Sequence, residues 1–462
     1  MTPDPAEAAA AQPEASLFAN RDYLGWWTGN TLSAVGDSIT MIAYPLLVLY
    51  ATGSVLGAGS ITAANMIGAW AMTLPGGVLA DRCSRKAIMV LGPLVQAAAM
   101  ATVALLVHAG SDPVWLLAVV ALVSGMASGL TKAAATPALR RIIRKDQVGA
   151  ATAQALGRDM AAEFVGAPLG GVLFSVARWI PFVGDAASYL FASIGAALIR
   201  RPLGPERVPG AARSGAVADV RAGFGFVRAH PYLRFTIVWA ACLNVVAQGF
   251  VLLFIALVKY RGGGPVAVGV VNSVALVGGI AGAVVGPLLL KRMRARLVLQ
   301  LALLAFVVTF ALVAVVPRPW EIGAVLLVAM LTMVPLNVVL ESYEVRLVPD
   351  EFSGRVAAVT RFGLQSLQWT GPLLAGLLVS AFGVPGGALA MTVLLLPLLV
   401  ALYRTRALGV LEQPVDQVQE LAAPGGPQRP AHPGNHPKNH PNTHEGSTTH
   451  EEARRSIEHV QS

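Results

Sequence analysis

Residues 77–86 read Gly77-Val78-Leu79-Ala80-Asp81-Arg82-Cys83-Ser84-Arg85-Lys86. The charged half of this stretch separates two long runs, 55–80 and 87–109, neither of which contains Asp, Glu, Lys or Arg. About 20 mostly apolar residues cross the hydrocarbon core of a bilayer as a helix. The stretch therefore reads as a short charged loop between two membrane helices.

Working outward, the same pattern recurs along the chain. Twelve spans are expected, at 23–52, 55–80, 87–109, 114–135, 158–178, 179–199, 235–259, 264–290, 297–316, 319–340, 363–382 and 385–403. They are numbered spans 1–12 below. Strands of a membrane barrel are about ten residues long and alternate in polarity, and these runs do neither. Composition agrees, since 55% of the 462 residues are hydrophobic and only 13% are charged. A soluble chain carries about 25% charge. Disordered and fibrous classes need low apolar content or a short repeat, so a polytopic all-α membrane protein remains.

The loops orient it. With both termini inside, the cytoplasmic connections from Arg82 to Arg361 hold 21 Lys and Arg, and the outer ones hold four: Arg178, Lys259, Arg261 and Arg318. Basic residues collect on the cytoplasmic side. This accounts for much of the net charge of +9 without nucleic acid, for which no basic run interleaved with aromatics speaks. Met1 to Leu17 is acidic and rich in Pro and Ala. It lacks the features of a cleaved signal peptide, so span 1 is expected to target the chain and remain. The expected organisation is an N-terminal tail (1–16), a six-helix bundle (17–200), a cytoplasmic inter-bundle loop (201–231), a second six-helix bundle (232–404) and a disordered cytoplasmic tail (405–462). Part of the loop, Gly210 to Gly223, is expected to be partly helical on the membrane surface.

The halves are related. At an offset of 205, Arg141-Ile142-Ile143-Arg144-Lys145-Asp146 falls on Arg346-Leu347-Val348-Pro349-Asp350-Glu351, and Gly149, Gly166 and Gly171 fall on Gly354, Gly371 and Gly376. So long a period excludes a solenoid and fits a duplicated six-helix unit of a transporter.

Residues 77–86 resemble the Gly-x-Leu-Ala-Asp-Arg-x-Gly-Arg-(Arg/Lys) signature of the major facilitator superfamily, with Ser84 in place of the second glycine. The resemblance covers about residues 18–404. It implies two pseudo-symmetric bundles that rock about a central cavity lined by spans 1, 4, 7 and 10. It also implies a cytoplasmic latch built from Gly77, Asp81, Arg82, Arg85 and Lys86. Gly166-Ala167-Pro168-Leu169-Gly170-Gly171 in span 5 and Gly371-Pro372-Leu373-Leu374-Ala375-Gly376 in span 11 resemble the Gly-Pro-x-x-Gly-Gly signature of the family's antiporters. Small residues at this spacing let helices approach closely. The opening Asn30-Thr31-Leu32-Ser33-Ala34-Val35-Gly36-Asp37 looks like that of bacterial macrolide-efflux and enterobactin-exporter relatives, as do Thr136-Pro137-Ala138 and Ala150-Ala151-Thr152-Ala153. The arginine that many drug/proton antiporters carry in span 4 is replaced by nothing closer than Lys132.

Ionisable groups inside apolar spans are costly and usually functional. Asp37 is the strongest proton-coupling candidate, with Asn30 and Ser33 on its helical face. Glu163 and Asp159, one turn apart in span 5 beside Arg158, are expected to form an ionic network. Asp185 reads as a helix-start residue or a partner for Arg178. In the second half, Asn244 and Gln248, Asn337 and Gln365 are expected as substrate contacts, and Glu341, Glu344 and Arg361 as a gate tie. Few charges and many apolar side chains suit a hydrophobic or amphipathic substrate.

Two cysteines, Cys83 and Cys242, make neither a disulfide framework nor a metal cluster. His432, His436, His440 and His444 recur in a Pro-rich tail whose expected state is flexible and polar, with weak metal binding as the other option. No cofactor, metal or enzyme motif is read, and no phosphate-binding loop. The expected function is proton-coupled efflux by a monomer in the inner membrane. The alternatives are a metabolite importer or uniporter, or a non-transporting scaffold or lipid flippase-like protein.

Overall fold

Span 1 starts where Asn20 caps it, its Oδ1 accepting from the amides of Asp22 and Tyr23 at 3.1 and 3.4 Å. Ser54 caps span 2 in the same way, its hydroxyl accepting from the Gly57 amide at 3.0 Å. Ser84, the departure from the family signature, does this for span 3 through the Ala87 amide at 3.4 Å. Serine is a preferred N-cap, so this change adds a helix start. The computed structural model describes residues 17–111, 113–204, 216–413, 415–418 and 421, and the expected histidine tail lies outside them.

The first bundle comprises span 1 (Arg21–Thr52), span 2 (Val55–Ala71 with Thr73–Arg82), span 3 (Arg85–His108), span 4 (Val114–Ile142), span 5 (Val148–Val176) and span 6 (Ile180–Ala197). The second comprises span 7 (Pro231–Tyr260), span 8 (Pro265–Arg292), span 9 (Ala295–Val315) and span 10 (Pro319–Leu347), then the stretch Asp350–Arg404. Among the described residues, ten helices are long and apolar enough to cross a membrane, and the two parts of span 2, bent by 44°, bring the count to 11. The 55-residue stretch Asp350–Arg404 would reach about 80 Å as one helix, more than twice a bilayer. It is not one helix: Gly383 has φ 72 and ψ 175. A Cβ placed on Gly387 would lie 2.9 Å from the Val379 amide nitrogen, so the chain doubles back at Gly383 and forms spans 11 and 12. Large apolar side chains cover the outside, and Trp115, Tyr260 and Trp320 stand exposed at the end opposite the termini, where aromatic residues mark a membrane interface.

Several expected boundaries move. Span 5 begins at Val148 instead of 158, and span 11 at Asp350 instead of 363 with a break after Ser366. The first turns of span 11 carry Asp350, Glu351, Arg355 and Arg361, which an apolar count leaves out, whereas 148–157 is uncharged but only weakly apolar, with Thr152 and Gln154 among alanines and glycines. Part of the inter-bundle loop is the helix Ala216–Ala229. Phe226 stacks on Phe352 with ring centres 5.0 Å apart, so this helix packs with the second bundle. Residues 405–413, expected in the disordered tail, are held in place. Tyr343 Oη donates to Gln413 O at 2.6 Å, Arg296 pairs with Glu412 at 2.8 Å, and the Leu421 amide donates to Leu347 O at 2.8 Å. Leu408, Leu411 and Val418 are buried there, apolar anchoring that holds the described part of this segment against spans 7, 9 and 10.

Within the first bundle, span 1 packs on spans 5 and 6, span 2 on span 4, and span 3 on spans 4 and 6; in the second, span 7 packs on span 11, and spans 8 and 9 on span 10. The bundles meet along two seams, span 2 against span 11 and span 5 against span 8. A Cβ on Gly59 would lie 2.9 Å from the Pro372 carbonyl carbon, and one on Gly269 would lie 2.7 Å from Pro168 Cα. Likewise a Cβ on Gly376 would meet Leu56 Cα at 2.5 Å, and one on Gly171 would meet Val266 Cα at 3.1 Å. The two seams are thus copies of one another, made by the glycines of the two matching signatures. Both lie toward the end of the bundles away from the termini.

Candidate functional site

Asp37 sits at the middle of span 1 with an exposed surface. Its Oδ1 accepts a short hydrogen bond from Tyr189 Oη of span 6. One turn before Tyr189, Asp185 is fully buried. Its Oδ2 accepts from Thr40 Oγ1 at 2.8 Å and its Oδ1 from Ser188 Oγ at 3.1 Å. Gly36 makes this approach possible, because a Cβ there would lie 2.9 Å from Ser188 Cβ. Spans 1 and 6 are therefore joined by two carboxylates that meet hydroxyl groups. Asp185 is neither a helix-start residue nor a partner of Arg178, which corrects the sequence expectation. The sequence held no signal for this pairing beyond the polar residues on each helix, because 145 residues separate Thr40 from Asp185.

Asp159 pairs with Arg158 at 2.8 Å, and the Arg158 guanidinium lies 5.8 Å from the Trp26 ring centre on span 1. Glu163 stays outside that pair and makes no hydrogen bond or ion pair among the described residues. The expected three-residue network is thus a two-residue one. Asn30 spends its amide on the Trp26 carbonyl at 2.8 Å, and Ser33 is half-buried. The second bundle answers with neutral groups: Asn244 and Gln248 half-buried on span 7, Asn337 exposed on span 10 and Gln365 exposed on span 11. Unlike Asn30, none of the four has a side-chain hydrogen bond among the described residues.

Away from the seams, Trp70 of span 2 meets Phe362 of span 11 across the bundles with ring centres 5.3 Å apart. Asp81 pairs with Arg85 of its own loop at 3.3 Å, its side chain 66% exposed. Arg85 Nε also donates to Ala80 O at 3.2 Å, and Lys86 Nζ to Ile199 O at the end of span 6 at 2.7 Å. Cations at helix C-termini are favoured by the exposed carbonyls and the helix dipole. Arg82, Glu341 and Arg361 are exposed, and no ion pair joins Glu341 or Glu344 to Arg361 among the described residues. The signature charges brace the first bundle internally. The opposite end is closed by the glycine seams, and by Ser273 Oγ of span 8 donating to Phe164 O of span 5 at 3.0 Å.

The signature glycines lie at close helix approaches. A Cβ on Gly166 would lie 2.5 Å from Ser38 Cβ of span 1, and one on Gly371 would lie 2.9 Å from the Gly249 nitrogen of span 7. Gly170 faces Ile39. Each signature thus serves two contacts: its first glycine meets the first helix of its own bundle, and its last meets the other bundle.

Two helical bundles that meet along glycine seams and carry a mid-span carboxylate have the architecture of a membrane transporter. The chain belongs to the Major Facilitator Superfamily, whose family description matches residues 26–368. Solved structures share the fold. A variant of the nucleoside transporter NupG aligns with TM-score 0.68 at 12% identity, covering 82% of this chain and 99% of that one. A bacterial homolog of the human lysosomal transporter Spinster, inward-facing and unoccupied, aligns with TM-score 0.67 at 15% identity over 85% and 97%. A bacterial homologue of the iron transporter ferroportin, also inward-facing, aligns with TM-score 0.62 at 16% identity over 85% and 100%. No curated protein matches in sequence.

Proposed function

We propose that the chain is a proton-driven exporter of hydrophobic or amphipathic small molecules, working as a monomer in the inner membrane with both termini in the cytoplasm. The observation that carries the reading is Asp37, a carboxylate at the middle of span 1 with open surface and no cation bonded to it. A charge at this depth costs about 2.5–3.5 kcal/mol on insertion scales. Hydrogen bonds between membrane helices average about 0.6 kcal/mol and reach about 1.7 kcal/mol, so Tyr189 offsets the cost only in part, and a bound proton removes it. Asp159 and Glu163 are the further carriers in this reading. Loops rich in Lys and Arg support a cytoplasmic position for the end opposite the seams, and in this reading the described state is inward-facing.

In that state Asp81 and Arg82 are exposed while Arg85 and Lys86 brace the first bundle, and the four latch onto the second bundle, near Glu341 and Arg361, when the cytoplasmic end closes. The substrate sits between Asn30, Ser33 and Asp37 on one side and Asn244, Gln248, Asn337 and Gln365 on the other. The likeness of residues 30–37 to macrolide-efflux and enterobactin-exporter relatives supports efflux of such compounds. The test is accumulation of lipophilic dyes in cells with and without the chain. Lower accumulation that a protonophore abolishes supports export, higher accumulation means import, and tight binding of a small hydrophilic solute with no dye binding removes the hydrophobic-substrate reading.

A further inference from the structure

The closed end of the two bundles carries a charged tie in addition to its glycine seams. Lys259 stands in the last turn of span 7, and its Nζ donates to Leu49 O of span 1, across the bundle boundary, at 2.5 Å. The same ammonium lies 4.4 Å from the Tyr50 ring centre. Tyr50 in turn meets Phe174 of span 5 with ring centres 6.0 Å apart. The seat of this cation is therefore built by the first bundle alone. Leu49 O belongs to the last turn of span 1, where carbonyls carry the negative end of the helix dipole, and an aromatic face adds cation–π attraction.

Arg261, two residues further on, is used differently. It donates to Ala314 O at 2.7 Å and to Val316 O, both at the end of span 9 in its own bundle. Neighbouring cations thus have separate roles: Arg261 braces the second bundle, and Lys259 joins the bundles. No carboxylate pairs with Lys259 among the described residues. The carbonyl and ring form a seat that separation of the bundles would dismantle.

We propose that Lys259 is the tie that holds the outer end closed, and that it releases Leu49 and Tyr50 each time the transporter opens outward. This rests on the rocking of the two bundles stated above. The test uses the full chain in proteoliposomes, with Cys83→Ser and Cys242→Ala and spin labels at Ser111 and Val315, exposed positions at the closed end of each bundle. Lys259→Met keeps the length and removes the charge; it is expected to raise the long-distance, outward-open population about tenfold, the scale of one hydrogen bond to a charged group. Tyr50→Leu keeps the ammonium bond, loses the ring and is expected to give a smaller rise. Lys259→Arg stays within about twofold of the parent, and Arg261→Met leaves the distances unchanged. A parent chain that opens while both Lys259→Met and Tyr50→Leu match it overturns the tie alone. A parent chain that never opens overturns the rocking reading and the tie with it.

Discussion

Asp37 is the residue on which the transport reading turns, and the sequence pointed to it by depth alone, as an acid at the centre of an apolar run. Its partners were not legible. Tyr189 lies 152 residues away, and which face of span 6 meets span 1 is decided by Gly36 and the packing around it. Asp185 shows the same limit, since a carboxylate near a predicted helix start reads as a cap until the neighbouring helix is in place. Two predictions belong at this scale. Asp37→Asn is expected to keep expression and melting temperature while lowering dye export at least about tenfold and removing its pH dependence, read from efflux at several external pH values. Tyr189→Phe deletes the donor to Asp37. Hydrogen bonds between membrane helices average about 0.6 kcal/mol, so a loss of roughly 1 kcal/mol is expected in a detergent melt.

Among the elements, the spans were legible because hydropathy must match the bilayer, and the loop charges confirmed their alternation. What the pattern missed were helices that run past the hydrocarbon, Val148–Val176 and Asp350–Ser366, and the anchored residues 405–413. An apolar count ends where the polar or weakly apolar turns begin, although the hydrogen-bonded helix does not. Gly383 makes the sharpest case, because its φ of 72 lies in the left-handed region that costs other residues about 1–2 kcal/mol. Gly383→Ala is expected to destabilise by about that amount in a chemical melt, whereas Gly184→Ala, with open space around its Cβ, is expected to change stability by less than about 0.5 kcal/mol. The seams offer a second element test. Gly376→Leu would overpack against Leu56, and overpacking costs about 1–3 kcal/mol. That cost falls on the state in which the seam is closed, so labelling of a cysteine at Leu56 from the outside is expected to rise.

For the whole molecule, the 205-residue repeat seen in the sequence reappears as geometry. Gly171 and Gly376, matched by that offset, each meet the start of the second helix in the opposite bundle. A duplicated unit packing on its own copy gives two equivalent seams about which the bundles rock. The seams sit at one end and the signature charges at the other, an asymmetry legible only once both were in place. The most direct measurement is dye efflux from cells energised and then treated with a protonophore, comparing the intact chain with Asp37→Asn. Export that collapses with the protonophore and is absent in Asp37→Asn is the predicted result. Export that persists unchanged in Asp37→Asn, or that ignores the protonophore, would contradict the account.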